Sequence, residues 1–375
     1  MTSTIAHNLV HIDGSFGEGG GQILRNAVAL SALLSKPISI PNVRHNRKPP
    51  GLRKQHEAGI ILAAAICSAE TEGVHLSSTS VTFKPGKIEL PKILTADPGT
   101  AGSTTLLLQV SLPCLLFSSS PTPPSQLTLR GGTNAIQAPQ IDYTQHVFLP
   151  FMKRHFGLDI ALNIIRRGYF PKGGGAVFCS VPSLTKALPP VTLTERGPVQ
   201  LIRGEARVGG LPFIIAERMR NAACAILLAA GVSSAIIRID AVRETQEEAF
   251  GSGGGILVFA ETGNGCVIGG SSVSTKSRDP EEIGKEAAEE LLRNLRHDGC
   301  VDEHLQDQII IFIALAKGHS TIKTGPLTDH TITAIKIAEQ MTGATFHLQQ
   351  NPSGFVIISC DGIGYTPSPH KIDKI

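Results

Sequence analysis

A cluster of glycines, Gly17-Glu18-Gly19-Gly20-Gly21, is the first segment of the chain whose residue types suit phosphate chemistry. It stands between a strand predicted over residues 9–12 and a helix predicted over residues 22–34. Backbone N–H groups at the glycine-lined start of a helix can hold a phosphate, whereas the alternative is a tight turn selected for close packing. The dinucleotide-binding fingerprint is excluded because position 22 is glutamine, and no Gly-Lys pair is followed by Ser or Thr as a P-loop requires.

Glu18 places a carboxylate at the mouth of this turn. A carboxylate repels a phosphate unless a cation lies between them, and a magnesium-bridged nucleotide resolves that conflict. The alternative is a first-turn acid that interacts with the helix dipole. Glu18 is therefore a candidate metal and nucleotide ligand.

A basic loop follows, in which Arg44, Arg47 and Arg53 surround Pro49-Pro50-Gly51. The planar fork of arginine suits a terminal phosphate dianion, which can accept bidentate hydrogen bonds from more than one guanidinium. A solvated charge run is the usual alternative. It is weakened here because no acidic residue occurs between Arg25 and Glu57.

His330 lies in the segment 324–331, a turn that immediately precedes an apolar-periodic helix. In the first helical turn the positive end of the dipole disfavours imidazolium, which leaves a nitrogen lone pair free. A histidine nucleophile requires that lone pair. The alternative is a histidine that only satisfies the start of the helix.

The elements that must position these residues form a repeating order of strands and helices. A first βαβαββ unit includes a helix at 53–69 and a hairpin at 74–90 with Pro85-Gly86 near its turn. A second unit has helices at 100–117 and 141–156 and strands at 126–130, 160–165 and 175–181. A third, near the C-terminus, has helices at 305–317 and 330–342 and strands at 320–323, 345–349 and 355–360. About a hundred residues between the second and third units do not fit the period, which predicts a compact α+β domain inserted into a threefold repeat.

Composition restricts the function. Hydrophobic residues are 41% and charged residues 17%, so disorder is excluded. With 14 Phe, 3 Tyr and no Trp, the chain can spare few rings for stacking bases, and a net charge of +3 gives no general polyanion surface.

Seven scattered cysteines without a CxxC pair predict buried reduced thiols in an intracellular protein. No secretion signal is expected, and the apolar run 106–117 is too short to span a membrane.

Taken together, the motifs closely resemble those of the RNA 3'-terminal phosphate cyclase family along nearly the entire chain. The matching segments are Asp13-Gly14, Gly17-Glu18-Gly19-Gly20-Gly21-Gln22-Ile23-Leu24-Arg25, Arg47-Lys48-Pro49-Pro50-Gly51-Leu52-Arg53-Lys54-Gln55-His56, Gly102-Ser103 through Gln109, Arg130-Gly131-Gly132-Thr133-Asn134 and Asp307-Gln308. The resemblance implies an α/β (α+β) fold of three βαβαββ units around a pseudo-threefold, with a small thioredoxin-like domain inserted. On this basis the predicted catalytic domain comprises residues 1–190 and 299–375, and the inserted domain residues 191–298.

The resemblance also implies an activity. Members of the catalytic type use ATP to convert an RNA 3'-phosphate into a 2',3'-cyclic phosphodiester, as ligases that transfer a nucleotidyl group to histidine. By this resemblance the histidine at position 330 is adenylylated with release of pyrophosphate, AMP passes to the RNA 3'-phosphate, and the vicinal 2'-OH expels AMP. ATP and Mg²⁺ or Mn²⁺ are the expected cofactors, and an RNA with a 3'-terminal phosphate is the expected partner, with no membrane and no obligate protein partner.

The resemblance assigns roles to further residues. The expected nucleotide-binding residues are Glu18, Gln109, Pro139, His304, Asp307 and Gln308, and the candidates for the RNA phosphate are Arg25, Arg44, Arg47 and Arg53. Position 304 departs from the pattern, because many relatives have tyrosine where this chain has histidine. Its contribution to ATP affinity is therefore open.

Two rival functions belong to other classes. One is a non-catalytic, cyclase-like RNA-binding protein of ribosome biogenesis, which lacks the nucleophilic histidine; His330 argues against it. The other is an enolpyruvyl transferase, which shares a related repeated architecture but does not predict the glycine turn together with the His330 segment. The segment 324–331 resembles eukaryotic members, so a nuclear location is expected, with the cytoplasm as the alternative.

Overall fold

The computed structural model describes residues 9–367, and its first sheet is built from the N-terminal part of the chain. The elements in chain order are β1 (Val10–His11), α1 (Gly21–Leu34), β2 (Ile38–Ile40), α2 (Lys54–Cys67), β3 (Glu70–Glu72) and β4 (Val81–Lys84). Their strand order is β1-β2-β4-β3, with β1 parallel to β2 and the other pairs antiparallel. The parallel pair requires the crossover helix α1, and the glycine cluster occupies the turn from β1 into that helix.

The second sheet has the same order of strands. Its elements are β5 (Ile93–Ala96), α3 (Thr104–Leu115), β6 (Ser125–Gly131), α4 (Ile141–Tyr143), α5 (Leu149–Phe156), β7 (Ala161–Gly168) and β8 (Gly175–Val181). The order β5-β6-β8-β7 repeats that of the first sheet, again with one parallel and two antiparallel pairs. A π-helical turn at Thr144–Phe148 joins α4 to α5, so the helix predicted at 141–156 is continuous but not uniformly α.

The next segment forms a sheet of its own. It follows β9 (Thr192–Leu193) and consists of β10 (Val199–Gly209), α6 (Phe213–Ala229), β11 (Ile237–Glu244), β12 (Ala249–Phe250), β13 (Gly253–Thr262), β14 (Val267–Val273) and α7 (Pro280–Arg296). The order is β11-β10-β13-β14, and only β10 and β11 are parallel. The short β12 leaves this sheet and pairs with β7, which ties the segment to the second sheet.

The chain ends in a fourth sheet, whose order β9-β15-β17-β16 again matches the first. It is completed by α8 (Glu303–Gln308), α9 (Ile310–Leu315), β15 (Lys317–Thr324), α10 (Asp329–Thr342), β16 (Thr345–Gln350) and β17 (Val356–Ile363). Helix α10 begins after Thr328, whose side chain accepts from the backbone N–H of Thr331, and ends at Gly343 in the left-handed conformation. His330 is thereby fixed in the first turn of α10.

Two hydrophobic clusters hold these layers together. The larger joins the three similar sheets and their helices, and the smaller lies within the segment 199–296, between β10, β13, α6 and α7. Along β13 the side chains alternate, because Ile256 and Val258 point into the smaller cluster while Leu257 and Phe259 belong to the larger one. Strand β13 is therefore buried on both faces. Within residues 9–367, none of the helices is long and apolar enough to cross a membrane.

Several predicted elements require correction. The hairpin predicted at 74–90 is wrong: β3 and β4 pair across residues 73–80, and Pro85-Gly86 follows β4 instead of forming its turn. The helix predicted at 305–317 is two helices, and Lys317 already belongs to β15. Four short strands, β2, β5, β9 and β12, were not predicted because two to four residues carry too little periodicity. All seven cysteines are free thiols, and six of them are buried. The outer ends of the predicted catalytic domain, residues 1–8 and 368–375, lie outside the described residues.

Candidate active site

A cleft of about 800 Å³ is lined by the first turns of α1, α2 and α10 together with residues of α3 and α8. Every site residue predicted from the sequence lines it: Glu18, Arg25, Arg44, Arg47, Arg53, Gln109, Pro139, His304, Asp307, Gln308 and His330. These residues come from segments up to about three hundred positions apart in the chain. The fold therefore collects them at one surface.

His330 presents one ring nitrogen to the cleft because the other is held. Its Nδ1 lies 2.9 Å from Oε1 of Gln22 and 3.3 Å from Oε1 of Glu18. Both neighbours are hydrogen-bond acceptors, so Nδ1 carries the proton and donates it. A neutral imidazole then keeps its lone pair on Nε2, which is the form that a nucleophilic histidine requires. The side chain is 50% exposed, which leaves room for a substrate atom to approach.

Gln22 fixes this arrangement, and the sequence reasoning did not assign it a role. Its amide nitrogen donates a short hydrogen bond to Oδ2 of Asp307, so its amide oxygen must face His330. Asp307, Gln22 and His330 thus form a chain of hydrogen bonds that sets both the ring orientation and the tautomer of His330. Burial raises the pKa of Asp307 to about 6, against the opposing effect of the charges of His330 and Arg25. Gln22 stands within the glycine motif, which was the available signal.

The glycine turn brings a carboxylate and a helix N-terminus close together. A Cβ on Gly20 would overlap the carboxylate of Glu18, and Gly17 and Gly19 both have φ of +57°, a conformation that favours glycine. Among the described residues, no side chain caps the first turn of α1, so its backbone N–H groups remain available to an anion. The turn therefore combines anion donors with one carboxylate.

Three arginines of the cleft donate hydrogen bonds to neighbouring groups of the protein. Arg47 donates to Oε2 of Glu18 at 2.8 Å, and Arg25 donates through Nε to Oε1 of Gln109 at 3.1 Å. Arg44 donates to the backbone oxygens of Pro49 and Gly51, so it also shapes the loop. Burial and the charges of its arginine neighbours lower the pKa of Arg44 from its usual high value. In this part of the cleft four arginines outnumber the neighbouring carboxylates of Glu18 and Asp307, and this excess of cations favours an anionic ligand.

The remaining residues predicted to bind the nucleotide also line the cleft. The amide nitrogen of Gln308 donates to the backbone oxygen of His304 at 2.7 Å, and the backbone oxygen of Pro139 accepts from Thr105 at 2.9 Å. His304 lies 3.0 Å from Oε1 of Glu290. Burial opposes protonation of His304, but the hydrogen bond and charge of Glu290 outweigh it and raise its pKa to about 9. His304 is therefore a cation near neutral pH.

Residues 199–296 close this side of the cleft. Ser271, Thr275, Arg278, Glu286 and Glu290 line it from β14, α7 and the loop that joins them. Local patterns in the sequence do not predict this lining, because the contacts depend on how residues 199–296 pack on the rest of the chain.

Two groups of side chains in the cleft contain atoms of the kinds that bind metal ions. Glu18 fits Mg²⁺ or Mn²⁺ as a single carboxylate beside donors for substrate phosphates, which is how magnesium is usually held with nucleotides. Ligand atoms of Glu290, Glu303 and His304 also lie within 4.8 Å of one another. Within that cluster Nε2 of His304 already lies 3.0 Å from Oε1 of Glu290, and Oε1 of Glu303 accepts a hydrogen bond from Arg293.

Comparison with known proteins agrees with these motifs. The family model for RNA 3'-terminal phosphate cyclase matches residues 16–348. The chain belongs to the RNA 3'-terminal phosphate cyclase family. It is 40% identical to the probable RNA 3'-terminal phosphate cyclase of Dictyostelium discoideum over 370 residues, which cover 95% of this chain and 83% of that protein. It is also 40% identical to the RNA 3'-terminal phosphate cyclase of Drosophila melanogaster over 361 residues, covering 96% and 98%.

Similarity within the cyclase family extends to archaea. The chain is 39% identical to the RNA 3'-terminal phosphate cyclase of Pyrobaculum aerophilum over 357 residues, which cover 95% of this chain and 99% of that protein. Matches of this length include the segment 199–296 as well as the cleft. The recognition made from the motifs is thereby confirmed.

Proposed function

We propose that this protein uses ATP to convert the 3'-terminal phosphate of an RNA into a 2',3'-cyclic phosphodiester, with His330 as the nucleophile. The observation that carries the proposal is the hydrogen bond from Nδ1 of His330 to Gln22, which leaves Nε2 with its lone pair in a cleft lined by Arg25, Arg44, Arg47 and Arg53. A bare phosphate dianion is a poor electrophile, so an activating step must precede cyclisation. Adenylylation supplies the leaving group.

Three transfers follow in this proposal. Nε2 of His330 attacks the α-phosphorus of ATP, and the bond from that phosphorus to the pyrophosphate oxygen breaks. An oxygen of the RNA 3'-phosphate then attacks the same phosphorus, and the N–P bond returns its electron pair to Nε2. The vicinal 2'-OH loses its proton to solvent and attacks the RNA phosphorus, which expels AMP and closes the ring. A phosphoramidate on histidine is readily cleaved, which suits it as an AMP donor.

The other residues take binding roles. Gln109, Pro139, His304, Asp307 and Gln308 are proposed for the nucleotide, and the four arginines for the RNA phosphate; their common cleft supports this assignment. Glu18 is proposed to hold Mg²⁺ or Mn²⁺, which when bound offsets the charge of the triphosphate. Arg47, which now pairs with Glu18, is positioned to change partner when phosphates enter.

The proposal includes the domain organisation and the cellular location. The shared strand order of three sheets supports three βαβαββ repeats around a pseudo-threefold, formed by residues 1–190 and 299–375. Residues 191–298, with their own sheet and hydrophobic cluster, are proposed as the inserted thioredoxin-like domain.

A nuclear location is proposed from the segment 324–331, with the cytoplasm as the alternative, and imaging of the tagged chain tests it.

A cyclisation assay tests the function. An RNA with a labelled 3'-phosphate is incubated with protein, ATP and Mg²⁺, and the label is expected to become resistant to phosphatase. An RNA with a 2'-deoxy terminal nucleotide is the matched control, since it can be adenylylated but not cyclised. Because the adenylylated 3'-phosphate also resists phosphatase, chromatography of the nuclease-digested RNA must show labelled 2',3'-cyclic nucleotide with the ribose end and only labelled adenylate with the deoxy end. RNA binding without resistance or adenylylation would contradict the proposal and favour the non-catalytic, ribosome-biogenesis alternative.

A further inference from the structure

His56, in the first turn of α2, lines the cleft but has no place in the roles given above. Its Nδ1 accepts the backbone N–H of Arg53 at 3.1 Å. A neutral imidazole has one lone pair and one N–H, and the lone pair is used by this bond. The proton therefore sits on Nε2, which makes that atom a hydrogen-bond donor.

The surroundings of His56 keep the ring neutral. Burial lowers its pKa to about 3, and the charges of Arg25, Arg44 and Arg53 act in the same direction. Near neutral pH the ring can neither gain a second proton nor act as a base through Nδ1. It supplies a hydrogen bond in a region where a fourth positive charge would be repelled.

Nε2 of His56 lies against the first residue of α1. A Cβ built on Gly21 would be 2.4 Å from Nε2 and 3.2 Å from Nη1 of Arg25, so both donors flank this glycine. The backbone N–H groups of the first turn of α1 are uncapped among the described residues. An imidazole N–H, a guanidinium and a helix N-terminus thus border the same part of the cleft. Donors of these three kinds suit the oxygens of a phosphate.

We propose that His56 is a phosphate-binding residue, whose Nε2–H forms an oxygen subsite together with Arg25 and the N-terminus of α1. The subsite deepens the proposed function and rests on it for the source of the phosphate, which is either ATP or the RNA 3' end. The competing role is structural, in which His56 serves only to accept the N–H of Arg53 at the start of α2.

Two substitutions separate these roles because each keeps one half of the imidazole. His56→Asn keeps an acceptor near the position of Nδ1 and lacks a donor at Nε2, whereas His56→Gln places an amide N–H near Nε2. Binding of inorganic pyrophosphate to the full chain is measured by calorimetry, beside thermal unfolding. His75→Asn is the matched control, since His75 is exposed in the turn between β3 and β4.

His56→Asn is expected to bind pyrophosphate roughly 10- to 100-fold more weakly than the wild type, because a donor to a charged group is lost. His56→Gln and His75→Asn should stay within about threefold of the wild type on the same basis. The unfolding midpoint of His56→Asn should fall by no more than about 2 °C, since the cap is kept. The subsite is overturned if the pyrophosphate affinities of His56→Asn and His56→Gln differ by less than about tenfold. It is also overturned if the unfolding midpoint of His56→Asn falls by more than about 2 °C.

Labelled ATP then distinguishes the two sources of phosphate. A defect of His56→Asn in self-adenylylation assigns the subsite to ATP, and a defect only in AMP transfer to RNA assigns it to the RNA phosphate. Pyrophosphate binding does not depend on adenylylation. If the wild type forms no adduct while the binding pattern holds, the proposed function fails and the subsite stands. If adenylylation and cyclisation proceed but the variants bind alike, the subsite fails and the function stands.

Discussion

Replacing Gln22 by leucine removes the group that holds the ring of His330. Leucine is similar in size, and position 22 is 3% exposed, so packing in α1 should be retained. The lost hydrogen bond from Nδ1 of His330, 2.9 Å long, is worth about 1 kcal/mol, or roughly fivefold in the population of the reactive tautomer. The released ring also holds the nucleophile out of position, and a misplacement of about 1 Å typically slows a reaction about 100-fold. Together these effects predict self-adenylylation slowed roughly 100- to 1,000-fold.

The assay is single-turnover transfer of label from α-labelled ATP at saturating concentration, with ATP affinity measured separately. The rate should fall much more than the affinity, because Gln22 acts on the nucleophile. Gln340→Leu is the matched control, since Gln340 donates one hydrogen bond to His11 outside the cleft. Adenylylation by Gln22→Leu within about threefold of the wild type would refute the reasoning.

Three further outcomes are expected. Arg47→Ala should impair RNA cyclisation more than self-adenylylation, and equal losses in the two assays would assign Arg47 to the ATP site. His304→Gln should remove one pH dependence of thermal stability. The imidazole has a pKa near 6.5 in the unfolded chain and about 9 in the folded protein. Its protonation therefore stabilises the wild type fully below about pH 6.5, and this stabilisation is lost as the pH rises through 9. Asp302→Asn should lower the free energy of unfolding in urea by roughly 2–4 kcal/mol, because one buried carboxylate accepts from Tyr143, Gly269 and the first turn of α8. A loss below about 1 kcal/mol would contradict that role.

The sequence predicted the residues of the cleft better than their partners. Glu18, Arg47 and His330 stand beside glycines, prolines or helix starts, and such local patterns can be read from a single chain. The bond between Gln22 and Asp307 joins residues 285 positions apart, and that between Gln22 and His330 joins residues 308 apart. Those pairings depend on how the first sheet and the last pack together, which periodicity does not specify.

The same reason explains the misplaced elements and the unexpected partner of His304. Residues 73–80 form the turn between β3 and β4, although Pro85-Gly86 is the stronger local turn signal. The position of β4 is set by its antiparallel pairing with β2, in which Ile38 lies opposite Phe83 and fixes the register. Glu290 reaches His304 from α7, a contact between segments whose relative placement no local pattern encodes.

Covalent attachment of AMP to His330 is the central claim, and peptide mapping tests it most directly. The full chain is incubated with ATP labelled at the α-phosphate and Mg²⁺, digested at neutral to alkaline pH and analysed by mass spectrometry. The account predicts an acid-labile adenylyl group on the peptide that contains His330, released as AMP by an RNA with a 3'-phosphate and absent from His330→Asn. Label that persists in His330→Asn, or that maps to another residue, would contradict the account.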